Sequence, residues 1–212
     1  MDCYKKLFIL FLGLPLLFGS CLKLNNPSNK IEFYTLEYDP PQIGNLAPLP
    51  YAIRMERFSV APTYNTNRII YRDRSFKREA YVYYKWRANP GDLVTYFLAR
   101  DIKLSGLFKA VLAYDSRFPS SYVLEGSVDE FFEWDTEEIW KAVLNVSITV
   151  MEENEPDISQ RILFQKTYRT KKSCKQRNPA ALAEAMSRAM AEISGKIIKD
   201  IYDYLKDRAE VE

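Results

Sequence analysis

The sequence predicts an α+β fold, a two-layer sandwich in which two helices pack on one face of a mainly antiparallel sheet. Two features carry this prediction. Residues 122–170 contain three long β-type runs separated by acidic turns. Asn89-Pro90 and Asn178-Pro179 each open a series of apolar residues at helical spacing.

Taken in order, Ile31 to Leu36 is a short β-type run, and residues 39–50 hold Pro40, Pro41, Pro48 and Pro50. Proline at that density makes an extended connector. Tyr51 to Val60 reads as a strand with Ile53, Met55 and Phe58 inward. Residues 68–74 and 80–86 are two more strands rich in β-formers, joined by a polar turn. In the second, Tyr81, Tyr83 and Lys85 are expected on a free face and Val82, Tyr84 and Trp86 on the core face.

Asn89 is a good N-cap and Pro90 suits the first helical position. Leu93, Val94, Phe97, Leu98 and Ile102 then mark the buried face of a helix over 90–104, with Gly106 as its C′ stop. The three long strands are expected at 122–134, 139–151 and 158–170. The middle one alternates most cleanly, with Trp140, Ala142, Leu144, Val146, Ile148 and Val150 on one face. After Asn178-Pro179, Leu182, Met186, Ala189, Ile193, Ile197, Ile201 and Leu205 form one stripe on a helix running to about residue 206.

Composition narrows the chemistry. The chain has 212 residues and no histidine, which excludes Ser-His-Asp triads, Cys-His pairs and His-ligated zinc. It has seven glycines, and neither GxGxxG nor GxxxxGK followed by Ser or Thr occurs. The formal net charge of +2 does not fit a polycation coating nucleic acid.

The N-terminus sets the compartment. Lys5 and Lys6 form a basic start, Leu7 to Phe18 an apolar stretch, and Gly19-Ser20 a small-residue cleavage site, as in a secretory signal. The apolar stretch is shorter than the roughly 20 residues that span a bilayer. Phe18-Gly19-Ser20-Cys21 resembles a bacterial lipobox, with Phe18 in place of the usual Leu. That resemblance makes Cys21 the lipidated first residue of the mature chain, carrying palmitate-type acyl groups. The alternative is an ordinary cleaved signal followed by an unrelated cysteine. Leu22, rather than Asp, after Cys21 resembles the signal for outer-membrane sorting.

The expected organisation is therefore a signal peptide (1–20), a lipidated, flexible tether (21–30), one domain (31–206) and a tail (207–212). Removing residues 1–20 from the 212-residue chain leaves 192. At that length about 70% of the unfolded surface can be buried. Cys174 is then the one thiol beyond Cys21, so no disulfide within the domain is expected, and neither is a metal or cofactor.

Several stretches, in order, resemble the ABC-type transport auxiliary lipoprotein family, which includes the paraquat-inducible protein C-like lipoproteins. They are Tyr34-Thr35-Leu36, residues 53–74 (IRMERFSVAPTYNTNRIIYRDR), residues 81–102 with Trp86 followed by Pro90, residues 124–132 (LEGSVDEFF) and the alternating strand AVLNVSITVME. The resemblance spans about residues 31–205. It implies a non-enzymatic, periplasm-facing lipoprotein on the outer membrane. Its partners would be an ABC ATPase, a permease and an MCE-domain protein moving lipids between the membranes of a Gram-negative envelope.

Two segments of opposite charge are candidate contact regions. Residues 51–90 hold nine basic and three acidic residues, net +6, interleaved with Tyr64, Tyr71, Tyr81, Tyr83, Tyr84 and Trp86. That mixture suits RNA, but an exported chain meets little of it. A partner protein or anionic lipid head groups fit better, with Arg72, Arg74, Tyr81, Tyr83 and Lys85 as the contact residues. The bland alternative is a solvated sheet surface over core tyrosines.

Residues 121–160 carry eleven acidic residues against Lys141, net −10. Glu130, Glu133 and Asp135 could serve a hydrolase, and a general envelope lipoprotein without ABC partners is a third reading. The turn from Glu152 to Asp157 lacks EF-hand order. Opposite segments on one domain also suggest a homo-oligomer. Lys171, Lys172 and Lys175 beside Cys174 are expected to lower its pKa.

Overall fold

The computed structural model describes residues 30–209. The chain from Ile31 onward forms one unit. Its order is β1 (Glu32–Tyr34), β2 (Leu49–Met55), β3 (Ser59–Val60), a 3-10 turn (Pro62–Tyr64), β4 (Arg68–Arg72) and β5 (Glu79–Trp86). Then come α1 (Pro90–Ser105), β6 (Phe108–Leu112), β7 (Tyr122–Asp135), β8 (Trp140–Glu152), α2 (Ile158–Arg161), β9 (Ile162–Ser173) and α3 (Pro179–Ala209). The α+β class and the two long helices are as the sequence predicts.

All nine strands join one sheet, and the sheet is mixed. β7, β8 and β9 are the expected antiparallel meander. The shorter N-terminal strands add mostly parallel ladders: β1 on β5, β2 on β6, and β2, β3 and β4 on β7. Such strands carry too little pattern to declare a partner, because parallel pairing joins segments far apart in sequence.

Three local departures have visible causes. The run at 51–60 breaks after Met55 because Phe58 turns into the core and its N–H bonds Thr95 Oγ1 at 2.9 Å. Residues 158–161 form a helical turn, since Asp157 Oδ1 caps the Ser159 N–H at 2.9 Å. β6, short and flanked by Gly106, escapes the sequence pattern.

The helix signals are built as expected. Asn89 Oδ1 accepts from Gly91 N at 3.0 Å, and Asn178 Oδ1 accepts from Ala181 N at 2.8 Å. Gly106 closes α1 in the left-handed region at φ 66°. Gly91 is needed for close approach, because a Cβ there would lie 2.6 Å from Phe58 O and 2.7 Å from Val60 Cγ2. The stripe from Leu182 to Leu205 is buried against β8 and β9. Opposite it lie Ala142, Leu144, Val146, Ile148 and Val150 of β8, with Leu124, Val128 and Phe131 of β7. Each such side chain contributes about 1.5–3 kcal/mol on burial. Trp140, at the end of that row, is half-buried.

Candidate interaction surface

The β4–β5 hairpin and its neighbours carry the five contact residues named above. Between Arg68/Lys85 and Ile70/Ala80 the register slips. A slip of this kind changes which side chains share a face, and it overturns the expected alternation in β5. Val82, expected in the core, is exposed, while Tyr81, expected free, is half-buried. Tyr81 OH instead donates to Glu133 Oε1 at 3.3 Å. Trp86 is buried as expected.

The inward tyrosines form a chain of ring contacts. Tyr34 meets Tyr84 at 6.3 Å, Tyr84 meets Tyr81 at 5.6 Å, and Tyr81 meets Tyr71 at 4.6 Å. The Tyr71 hydroxyl bonds Glu79, and its pKa is pushed up to about 12, first by that bond and then by burial. Glu133 closes the series, accepting from Trp140 Nε1 and from Tyr81. Glu133 is 2% exposed, and burial pushes its carboxyl up to about 7. The nearby Asp135 charge adds to the rise, while the bonds from Trp140 and Tyr81 oppose it.

The cations divide among several environments. Arg72 lies 4.7 Å over the Trp134 ring, with Lys171 at 4.5 Å from the same ring. Arg78 covers Phe132 at 5.0 Å and its Nε donates to Tyr64 OH at 3.3 Å. Arg74 sits in the hairpin turn with its side chain 82% exposed. Tyr83 is exposed and Lys85 partly so. Thus Arg74 and Tyr83 are open to contact, Arg72 and Lys85 partly so, and Tyr81 supports from beneath.

Part of the charge segregated along the sequence is paired within the fold. Arg54 pairs with Glu153, Arg57 with Asp92 at 2.6 Å, Arg169 with Glu130 at 2.6 Å and Arg208 with Glu152 at 3.0 Å. A bulge separates Val128 from Glu130 in the β7–β8 register. Glu130 then reaches Arg169, while Glu133 is buried beside Trp140. Of the three carboxylates offered for hydrolysis, Glu133 and Asp135 are neighbours, and Glu130 is held apart by Arg169. Cys174 also departs from expectation: burial raises its thiol to about 11, and Glu133 adds to the rise.

The sequence reading missed a groove of about 690 Å³ between α1 and β6, lined by Met55, Tyr96, Ala99, Lys103, Val111 and Tyr114. Its signal was hidden because β6 was not recognised. Among the described residues no group of His, Cys, Asp or Glu is arranged to hold a metal. Cys21 lies outside the described residues.

The fold has clear relatives among solved structures. Protein XCC0632 from Xanthomonas campestris superimposes with a TM-score of 0.76 at 16% identity, covering 84% of this chain and 99% of that one. An uncharacterised protein gives 0.61 at 11% identity, covering 81% and 99%. Hypothetical protein CT253 from Chlamydia trachomatis gives 0.50 at 9% identity, covering 74% and 98%. These identities establish the shared fold alone. No curated protein matches the sequence. The model of the ABC-type transport auxiliary lipoprotein component matches residues 34–198, which include the β4–β5 hairpin, both helix starts and the whole meander. The chain belongs to the ABC-type transport auxiliary lipoprotein family.

Proposed function

We propose that this auxiliary lipoprotein is a non-catalytic subunit of an MCE/ABC-type intermembrane lipid transport system in a Gram-negative envelope. Acylated Cys21 holds it on the outer membrane, facing the periplasm. The observation that carries this reading is the order of the chain. A signal-like start and the lipobox-like Phe18-Gly19-Ser20-Cys21 stand directly before a domain of the transport-auxiliary family. Several acyl chains on one cysteine suffice as an anchor, at about 0.8 kcal/mol per buried CH₂.

Recognition is the activity this surface supports. Arg72, Arg74, Tyr83 and Lys85, with Tyr81 beneath them, engage an acidic protein surface, that of the MCE-domain protein or of a second copy. Arg and Tyr are the types enriched where interfaces hold most of their energy. The tether 21–30 and the domain that follows it divide anchoring from recognition.

One affinity-purification experiment tests both parts. Wild type is expected to take up a palmitate analogue, fractionate with the outer membrane and retain the MCE-domain and permease proteins. Cys21→Ser is expected to lose label and membrane. Arg72→Glu with Arg74→Glu is expected to keep both and lose partners. A labelled, outer-membrane Cys21→Ser protein defeats the anchor. An unchanged partner set in the folded double variant defeats the contact surface.

A further inference from the structure

We infer that the β4–β5 hairpin is a membrane-touching tip: Phe76 inserts into the bilayer surface to which the acyl group on Cys21 is anchored. The inference rests on the anchoring proposed above. It names a second contact made by the outer end of the same hairpin.

Phe76 is anomalous in two ways. It is fully exposed, at 104% of its reference area, so it contributes nothing to the core. It also has φ 63°, the one non-glycine with positive φ among the described residues. A bulky residue in the left-handed region is strained. Such strain concentrates at ligand clamps and contact sites. A turn needing only the backbone geometry would be better served by glycine or asparagine.

The topology then says which way this tip points. β1 runs parallel to β5, with Glu32 opposite Tyr84 and Tyr34 opposite Trp86. The two strands therefore run in the same direction, and the chain enters beside Tyr84, five residues along β5 from its start at Glu79. The turn at 73–78 adjoins the start of β5, at Glu79. The chain enters the domain at Ile31, one residue before β1. The tip lies beyond that entry point by roughly 16 Å, five residues of strand. The ten residues from Cys21 to Lys30 reach at most about 36 Å. The tether's reach exceeds the offset between entry point and tip, so the acyl anchor and Phe76 can meet one bilayer surface.

Other exposed apolar residues gather on the same two strands: Ile31 and Phe33 on the β1 side, Val82 and Tyr83 on β5. Phenylalanine on a surface with a polar rim can bury its ring at the boundary between head groups and acyl chains. One inserted phenylalanine is a weak attachment by itself. A tethered one acts at high effective concentration, so it can orient a domain that the acyl group already holds.

Charge makes the inference sharper. Arg74, Lys77, Arg78 and Arg177 stand near this end with Asp73, Glu79, Asp135, Glu137 and Glu138. Lys77 is paired with Glu79, and Arg78 is turned onto Phe132. Bases and acids nearly balance, so anionic lipid is not the attraction. Docking follows the aromatic ring and is indifferent to head-group charge.

The test uses the full acylated chain in vesicles of phosphatidylethanolamine and phosphatidylcholine, with Phe76→Trp. The three native tryptophans supply the baseline. Bromine on the lipid acyl chains is expected to remove most of the added emission, equally with and without phosphatidylglycerol. Aqueous iodide is expected to leave it. Iodide quenching without bromine quenching, in an acylated protein that floats with the vesicles, overturns the docking and spares the anchor. A protein whose intact mass shows no acyl group overturns the anchor and the docking with it. Protection that appears only after the transport complex is added assigns the tip to a protein and also overturns the inference.

Discussion

Glu133 sits where the aromatic chain of β1, β5 and β4 meets the end of the helix-covered sheet face. Its carboxyl moves from 4.5 to about 7 because burial penalises the charged form. The folded protein therefore holds a proton that the unfolded chain releases. The stability linked to that proton is fully present below about pH 4.5 and is lost as pH rises through about 7. At about 1.4 kcal/mol per pH unit, the loss is roughly 3 kcal/mol. Glu133→Gln keeps an acceptor for Trp140 and Tyr81 and removes the titration. Chemical denaturation between pH 4.5 and 8 is expected to show a flat profile for the variant across this window. Wild type should fall, with the variant more stable at pH 8. Parallel profiles would show that Glu133 is not the titrating group. No sequence pattern announces this residue. A carboxylate in an acidic segment reads as solvated until a bulge in β7 places it beside Trp140.

At the scale of elements, what was legible was what local rules decide. Asn89 and Asn178 cap their helices through the expected side-chain bonds, Gly106 ends α1, and β8 buries its predicted row from Ala142 to Val150, although Val143 and Thr149 on the other face are buried too. What was not legible depends on partners. The register slip in β5 comes from its pairing with β4, and it moved Tyr81 inward and Val82 outward. The same hairpin yields a prediction about its turn. Phe76 buries nothing and has φ 63°, so glycine fits the backbone better there. Relief of left-handed strain, about 1–2 kcal/mol, offsets the greater entropy of glycine in the unfolded chain. Phe76→Gly is expected to melt within a few degrees of wild type. A drop of about ten degrees or more, on the scale where 1 kcal/mol moves the melting point of a domain this size by about 2–4 °C, would show the ring to be structural. The variant is then a clean control for membrane contact.

Across the whole molecule, the sequence shows charge in blocks, and the fold pairs part of that charge internally. The +6 and −10 segments read as complementary outer surfaces, yet Arg54 meets Glu153 within one chain, and Glu130 and Glu152 find Arg169 and Arg208. Parallel pairing of β2, β3 and β4 with β7 brings residues 53–72 beside residues 122–134, which no local pattern foretells. Stability rests mainly on a shared apolar core, since partly exposed ion pairs each contribute only about 0–1 kcal/mol. The core joins residues from Leu36 to Leu205 across every layer. The chain has no histidine, Cys174 is half-buried with a raised pKa, and the described residues offer no cluster of metal ligands. A structural metal would add its binding free energy to folding and give it up to a chelator. The purified protein is accordingly expected to melt at the same temperature with and without excess chelator. Added zinc or calcium should leave that temperature unchanged, since a ligand bound only by the folded state raises it by mass action. A shift of several degrees in either titration would place an oxygen-ligated ion in the fold and reverse this account of what holds it together.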